Sequence, residues 1–147
     1  MISILQEIRN FAASQKIELI DFYQDFLKTI KGQDQIYQNL SEYKHIHTIL
    51  YNKKKAGIVG YTSRGNDTNY FQIAIHQDYS GKGILEKAAN LLAKTYNLNR
   101  LLATIDKTNI ASIKAHRKAG FTDLPKQLEK FYRKKRKPGA IGLIKEY

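Results

Sequence analysis

The chain reads as an α/β (α+β) domain: a mixed, mostly antiparallel central sheet flanked by helices and preceded by a helical N-terminal segment. Three observations predict this. The β-rich runs between residues 45 and 76 are separated only by short polar turns, as in an antiparallel meander. From residue 82 onward, helix-like and strand-like segments alternate, and apolar residues in the first 31 positions recur at helical spacing. At 147 residues the chain can bury one core and is short for two, so 1–147 is taken as one domain.

Residues 2–14 and 17–31 read as helical, with Ile17, Ile20, Phe22, Tyr23, Phe26, Leu27 and Ile30 on one apolar face and Gly32 as the stop. A short helical or irregular piece follows over 34–42. "HIHTILYNKKKAGIVGYTS" then gives two strands around the polar turn Asn52 to Lys54, and "SRGNDT" is a second turn. In the third strand, Phe71, Ile73 and Ile75 alternate with Gln72, Ala74 and His76. A helix from about 82 to 96 precedes the buried strand "RLLATID", and a further helix begins at Thr108 or Asn109 and stops at Gly120. The last segment holds a short strand, the basic run Arg133 to Lys137, a Pro138-Gly139 turn and a final strand from about 140 to 146. No internal repeat or linker interrupts this order.

Composition removes several function classes. The chain has no cysteine, which excludes disulfides, thiolate metal sites and a cysteine nucleophile. "MISILQEIRNFAASQK" carries charge too early for a signal peptide, and no stretch is apolar enough to span a bilayer, so a cytoplasmic, non-membrane protein is expected. Lys and Arg number 25 against 13 Asp and Glu, a formal charge of +12. Such a balance raises encounter rates with nucleic acid, anionic surfaces or phosphorylated ligands, and equally describes a lysine-rich soluble surface.

The stretch with most chemistry is "HQDYSGKGILEKAANLLAK", residues 76–94, where a glycine turn feeds directly into a helix. A helix N-terminus has unpaired N–H groups and a positive dipole end, and glycines admit close backbone approach, so Ser80, Gly81, Lys82, Gly83, Ile84 and Leu85 could hold a phosphate or pyrophosphate. Two rivals fail on the residues. A P-loop needs Ser or Thr after its Lys, and Lys82 is followed by Gly83; a dinucleotide fingerprint needs a third glycine where Leu85 or Lys87 stands.

"FQIAIHQDYSGKGIL" followed by "LLATIDKTNIASIKAHRKAGF" resembles the two core motifs of the GNAT acetyltransferase superfamily. The first motif, roughly Gln/Arg-x-x-Gly-x-Gly/Ala after a strand, maps onto Ser80 to Leu85. Gly81, Lys82 and Gly83 match a common form of it, with Ser80 in place of the leading Arg and Leu85 in place of the last Gly. The second, roughly Asn-x-x-Ala/Ser-x-x-x-Tyr-x-x-x-Gly-Phe, maps onto Asn109, Ser112, His116, Gly120 and Phe121, with His116 at the tyrosine position. The resemblance runs over residues 54–121, and the family's opening strand is not evident in the helical reading of residues 2–31.

The resemblance implies a GNAT fold in which acetyl-CoA lies between two splayed strands. Its pantetheine arm would bond the backbone of Ile73, Ala74 and Ile75 and its pyrophosphate the N–H groups of Ser80 to Leu85. Asn109 would bond the pantetheine or orient the acceptor, with Ser112 on the cofactor side of the same helix; Asn109 alternatively serves only as the helix cap. In this family the acceptor amine attacks the thioester directly, so no protein nucleophile is required. His116 would be the catalytic proton donor to the departing thiolate, or else a packing histidine. Many relatives place Glu where this chain has Gln72 and Thr104; a water relay past backbone carbonyls or an α-amine acceptor that needs little help would answer for the missing base, with Asp106 and His76 as fallback bases. His45 and His47 share a strand face, but two ligands without a third make a poor metal site, and no metal is expected. The implied function is N-acetylation of a primary amine. The partners are acetyl-CoA and an acceptor that the basic charge would allow to be acidic or RNA-linked. The alternative is a non-catalytic GNAT-fold module binding RNA or the ribosome. A missing first strand would leave an edge for a partner chain, as in a homodimer.

Overall fold

The computed structural model describes residues 3–4, 16–33, 39–132 and 139–147. The helix expected over 2–14, apart from residues 3 and 4, lies outside the described residues, as do residues 34–38, the basic run Arg133 to Lys137 and Pro138.

The strands are β1 (Ile17–Ile20), β2 (His45–Tyr51), β3 (Lys54–Ser63), β4 (Asn69–Ile75), β5 (Arg100–Asp106), β6 (Thr122–Asp123) and β7 (Ala140–Glu146). They form one sheet in the order β1-β2-β3-β4-β5-β7-β6. All pairings are antiparallel except β4 with β5. The helices are α1 (Gln24–Leu27), α2 (Ile84–Tyr96), α3 (Ile110–Lys118) and α4 (Lys126–Tyr132). The mixed, mostly antiparallel sheet and the predicted strands and helices from residue 45 to 121 are as the sequence implied. Helix α4 was not foreseen; its Leu128 packs with Leu124 on Leu102 and Ile144 of the sheet.

The helical reading of 17–31 is overturned at its start. Ile17–Ile20 is a strand paired residue by residue with Tyr51–Thr48. The cause lies 36 residues away: Asn52 closes the β2–β3 turn in a left-handed conformation, and its Oδ1 accepts the Lys16 amide at 2.9 Å while its own amide donates to the Lys16 carbonyl at 3.0 Å. That two-way contact lays the chain beside β2, where "IELI" pairs with its neighbour. Helix begins only at Gln24. Because β1 covers the outer edge of β2, the case for a partner chain at that edge falls.

Alternation along the strands sends side chains to two faces. On the first, Val59, Phe71, Ile73, Leu101, Ala103 and Leu143 pack under α2 and the Ala119–Phe121 corner. The second face carries two separate clusters. Ile58 and Ala74 lie beneath Leu27 and Ile30, and Leu102 and Ile144 lie beneath Leu124 and Leu128. Between them run the side chains of Gln72 and Thr104.

Candidate active site

The sheet has a seam. Parallel strands β4 and β5 are paired only at Tyr70↔Leu102 and diverge beyond it. The His76 amide donates to the Ala56 carbonyl at 2.8 Å, so by strand alternation the peptide groups of Ala74 and Gln72 also face β3, and those of Ile73 and Ile75 face the seam. Ala74 is therefore held on the β3 side, and Ile73 and Ile75 present N–H and C=O groups to the gap. Their side chains serve the first-face core.

The chain leaves β4 through a single hydrogen-bonded turn at Gln77–Tyr79. His76 caps it, its Nδ1 accepting the Asp78 amide at 3.1 Å and its carbonyl the Tyr79 amide at 2.9 Å. The Ser80 hydroxyl donates to the Gln77 carbonyl at 3.2 Å. Gly81 and Gly83 then take φ of +75° and +71°, and a Cβ on either would meet nothing within 4 Å. Both glycines therefore answer to backbone conformation, and the turn is open in front of them. Gly83 caps α2 without a side-chain bond, so the first N–H groups of that helix lack the usual side-chain partner. Ile84 is buried and Leu85 half-buried. Their side chains anchor the helix start while Ser80, Gly81, Lys82 and Gly83 stand exposed. An open, left-handed turn with donors at a positive helix end suits a diphosphate.

Helix α3 rises from the end of β5. Asn109 is its N-cap, with Oδ1 accepting the Ser112 amide at 3.2 Å, so the capping role is present whatever else the side chain does. Ser112 is half-buried and sits one turn before His116. His116 is 6 % exposed, with Phe71 and Phe121 edge-on at 6.0 and 5.2 Å. Its Nδ1 lies 2.8 Å from the Ser112 carbonyl. A carbonyl only accepts, so the proton sits on Nδ1 and the lone pair on Nε2. Burial pushes the imidazole pKa down, partly opposed by the Ser112 carbonyl.

The fallback bases are otherwise engaged. Asp106 accepts the Thr108 hydroxyl at 2.6 Å and its amide at 2.8 Å, which hold the carboxyl below its usual range. His76 spends Nδ1 on the turn and stacks on Phe26 at 5.8 Å. Gln72 and Thr104 lie on the second face, and Thr104 helps to line a small hollow with Tyr70, Leu102, Leu124 and Gly142. Neither the Phe26–His76 contact nor this hollow was read from the sequence, because each joins residues from remote segments.

His45 and His47 do share a face of β2, and both turn to Tyr96 near the far end of α2. His45 stacks on its ring at 3.7 Å. His47 donates from Nδ1 to the Ile20 carbonyl at 2.9 Å, which leaves Nε2 to accept the Tyr96 hydroxyl. They bind β1, β2 and α2 together. Among the described residues there is no group of three or more His, Cys, Asp or Glu side chains that could hold a metal ion, and no helix is long and apolar enough to cross a membrane.

A family model described as an acetyltransferase (GNAT) domain matches residues 10–122. No curated protein matches the chain. Among solved structures, an IAA acetyltransferase from Bacillus cereus is 20% identical, with TM-score 0.62, covering 91% of this chain and 100% of that one. A Bacillus subtilis acetyltransferase in complex with CoA is 17% identical, with TM-score 0.64 and coverage of 91% and 99%. The N-acetyltransferase PseH from Campylobacter jejuni, in complex with acetyl-CoA, is 11% identical, with TM-score 0.63 and coverage of 89% and 99%. At these identities the likeness is one of fold.

Proposed function

Because the chain belongs to the GNAT acetyltransferase family, we propose that it is an acetyl-CoA-dependent N-acetyltransferase acting on a primary amine by direct attack in a ternary complex. The observation that carries this reading is the seam: β4 and β5 part after Tyr70↔Leu102, and the freed edge of β4 leads into the open Gly81–Gly83 turn. The residues fit the cosubstrate. Ile73 and Ile75 would bond the amide-bearing arm, Ser80 to Leu85 the pyrophosphate through their backbone, and Asn109 and Ser112 would border the arm from α3. Ala74 would contribute by setting the alternation that turns its neighbours to the seam. Bound acetyl-CoA supplies an activated acyl group: the amine forms the C–N bond as the C–S bond breaks, and the departing thiolate takes up a proton.

The first face is filled by the core under α2, so the acceptor would come from the second face, past Gln72 and Thr104. Neither is a base. An α-amine with pKa of about 8 is about one-tenth neutral at pH 7, whereas a lysine near 10.4 is neutral in about one molecule in 2,500. That difference, over two hundredfold, favours an α-amine acceptor. His116 in its neutral tautomer offers an acceptor at Nε2, so donation to a thiolate would require the imidazolium that burial disfavours. The non-catalytic RNA- or ribosome-binding alternative rests on the net charge of +12 and on the missing family carboxylate and tyrosine, and the match to an acetyltransferase family does not favour it.

The test is calorimetric titration with acetyl-CoA, followed by a free-thiol assay against α-amino amides and lysine side-chain amines at pH 7. Saturable binding with turnover on α-amines supports the reading. No binding of acetyl-CoA would sink it, and turnover restricted to lysine side chains would sink the α-amine part.

A further inference from the structure

We propose that Gln77 is a positioning residue that ties the cosubstrate turn to the segment covering the acceptor side of the site, so that filling the turn orders that segment. This rests on the reading of the turn as the acetyl-CoA site. The Gln77 side-chain amide makes two bonds of opposite sense: Nε2 donates to the Thr29 carbonyl at 3.2 Å, and Oε1 accepts the Lys31 amide at 3.3 Å. A carbonyl cannot donate and an amide N–H cannot accept, so only one orientation of the side chain satisfies both. The Gln77 carbonyl accepts the Ser80 hydroxyl at 3.2 Å. Two hydrogen-bonded steps thus lead from the rim of the open turn to residues 29–31.

The segment so tied needs outside support. Helix α1 has 4 residues and no side-chain N-cap bond, and a single turn is unstable on its own. Its order comes from Leu27 and Ile30, buried on Ile58 and Ala74, from Phe26 stacked on His76, and from Gln77 at the solvent rim. Leu27 and Ile30 roof the second face next to Gln72, the side from which the acceptor would enter. Holding the phosphates would fix the backbone at residues 80–85 and with it the Ser80–Gln77 bond. The freedom thereby lost at Gln77 need not be lost again when residues 29–31 order. Coupling of this kind is reciprocal: an ordered roof also favours an occupied turn.

The experiment is amide hydrogen exchange by NMR on the full chain, with and without saturating acetyl-CoA, for the wild type, Gln77→Ala and Gln77→Glu. The reporters are the Thr29 and Ile30 amides, which bond to the Phe26 and Leu27 carbonyls at 3.0 and 3.1 Å and not to Gln77. Acetyl-CoA is expected to slow their exchange about fivefold or more in the wild type. In Gln77→Ala most of that slowing is lost, although titration shows the turn still filled. Gln77→Glu, which keeps the acceptor for Lys31 but not the donor for Thr29, falls between. The proposal is overturned if the saturated wild type shows no slowing. It is also overturned if Gln77→Ala lowers protection equally with and without ligand, the mark of a purely structural contact. Failure of the wild type to bind acetyl-CoA would overturn the cosubstrate reading and this inference with it.

Discussion

Replacing Gly81 and Gly83 together separates backbone conformation from charge in the open turn. A Cβ at either position meets nothing within 4 Å, so alanine costs only the left-handed backbone, about 1–2 kcal/mol per residue. The Gly81→Ala/Gly83→Ala protein should lose about 2–4 kcal/mol, which at about 2–4 °C per kcal/mol for a chain of this size lowers Tm by about 4–16 °C. Its acetyl-CoA affinity should fall by about tenfold or less, since the N–H groups remain. Gly81→Glu/Gly83→Glu carries the same backbone cost plus two carboxylates. At about 5 Å in a water-like dielectric, each carboxylate–phosphate charge pair costs about 0.8 kcal/mol. Four such pairs sum to about 3 kcal/mol, roughly 150-fold in Kd. Most of that penalty should disappear between 0.01 and 1 M salt, where the screening length shrinks from about 30 to 3 Å. Titration calorimetry of both variants at both ionic strengths reads it directly. Equal loss of binding in the two variants, independent of salt, would refute the assignment of the turn to a diphosphate, as would normal binding by the glutamate pair.

Three further outcomes are expected. The folded-state pKa of His116 is depressed, so the unfolded chain takes up the proton first as pH falls. Its contribution is fully present above the unfolded value of about 6.5 and is lost as pH drops through the lower folded value. The Tm of the wild type should therefore decline below pH 6.5, and that of His116→Gln should decline less. His45, depressed chiefly by its own burial, adds slope of the same sign, so the variant profile flattens without becoming level. Asn109→Ala should cost about 1 kcal/mol from the lost cap, and Asn109→Asp should restore stability. If Asn109 also donates to the cosubstrate through Nδ2, both variants bind it more weakly, because neither alanine nor aspartate keeps that donor, although aspartate restores the cap. Tyr96→Phe removes the hydroxyl from His47 Nε2 and should cost about 1 kcal/mol by thermal melting. Its acetyl-CoA affinity should be unchanged, because twelve helical steps put Tyr96 about 18 Å from Ile84.

What could be read from the sequence was local. Strands β2 to β5 announce themselves by period-two runs and polar turns, and α2 and α3 by a glycine turn, an Asn cap and helical spacing. Strand β1 did not. Ile17, Ile20, Phe22, Phe26 and Ile30 fall on one helical face by coincidence, and the partner that makes Ile17–Ile20 a strand is fixed by Asn52, far along the chain. Helix α4 hid for a similar reason, since its Leu128 is explained only by Leu102 and Ile144 on remote strands. At the site, Gly81, Gly83 and Asn109 carry their chemistry in the backbone or in a cap and were legible. The seam was anticipated only through the family resemblance, because strand divergence leaves no mark in residue type. His116 was visible by its position, but its tautomer depends on a carbonyl that only the folded helix brings to it.

The seam also changes what kind of object the sheet is. With one rung between β4 and β5, it behaves as two smaller sheets, β1-β2-β3-β4 and β5-β7-β6, joined at that rung and by the core that α2 covers on their first face. An unpaired strand edge on a protein's exterior invites another chain. This one is walled on both sides, and what fits it is narrow, extended and able to match alternating donors and acceptors, as the amide arm of acetyl-CoA can. On the proposed reading the cosubstrate behaves as an interior strand supplied from solution. Its concentration would then set the cohesion of the fold as well as the rate of the reaction, with about 2.7 kcal/mol of added stability at one hundred times Kd.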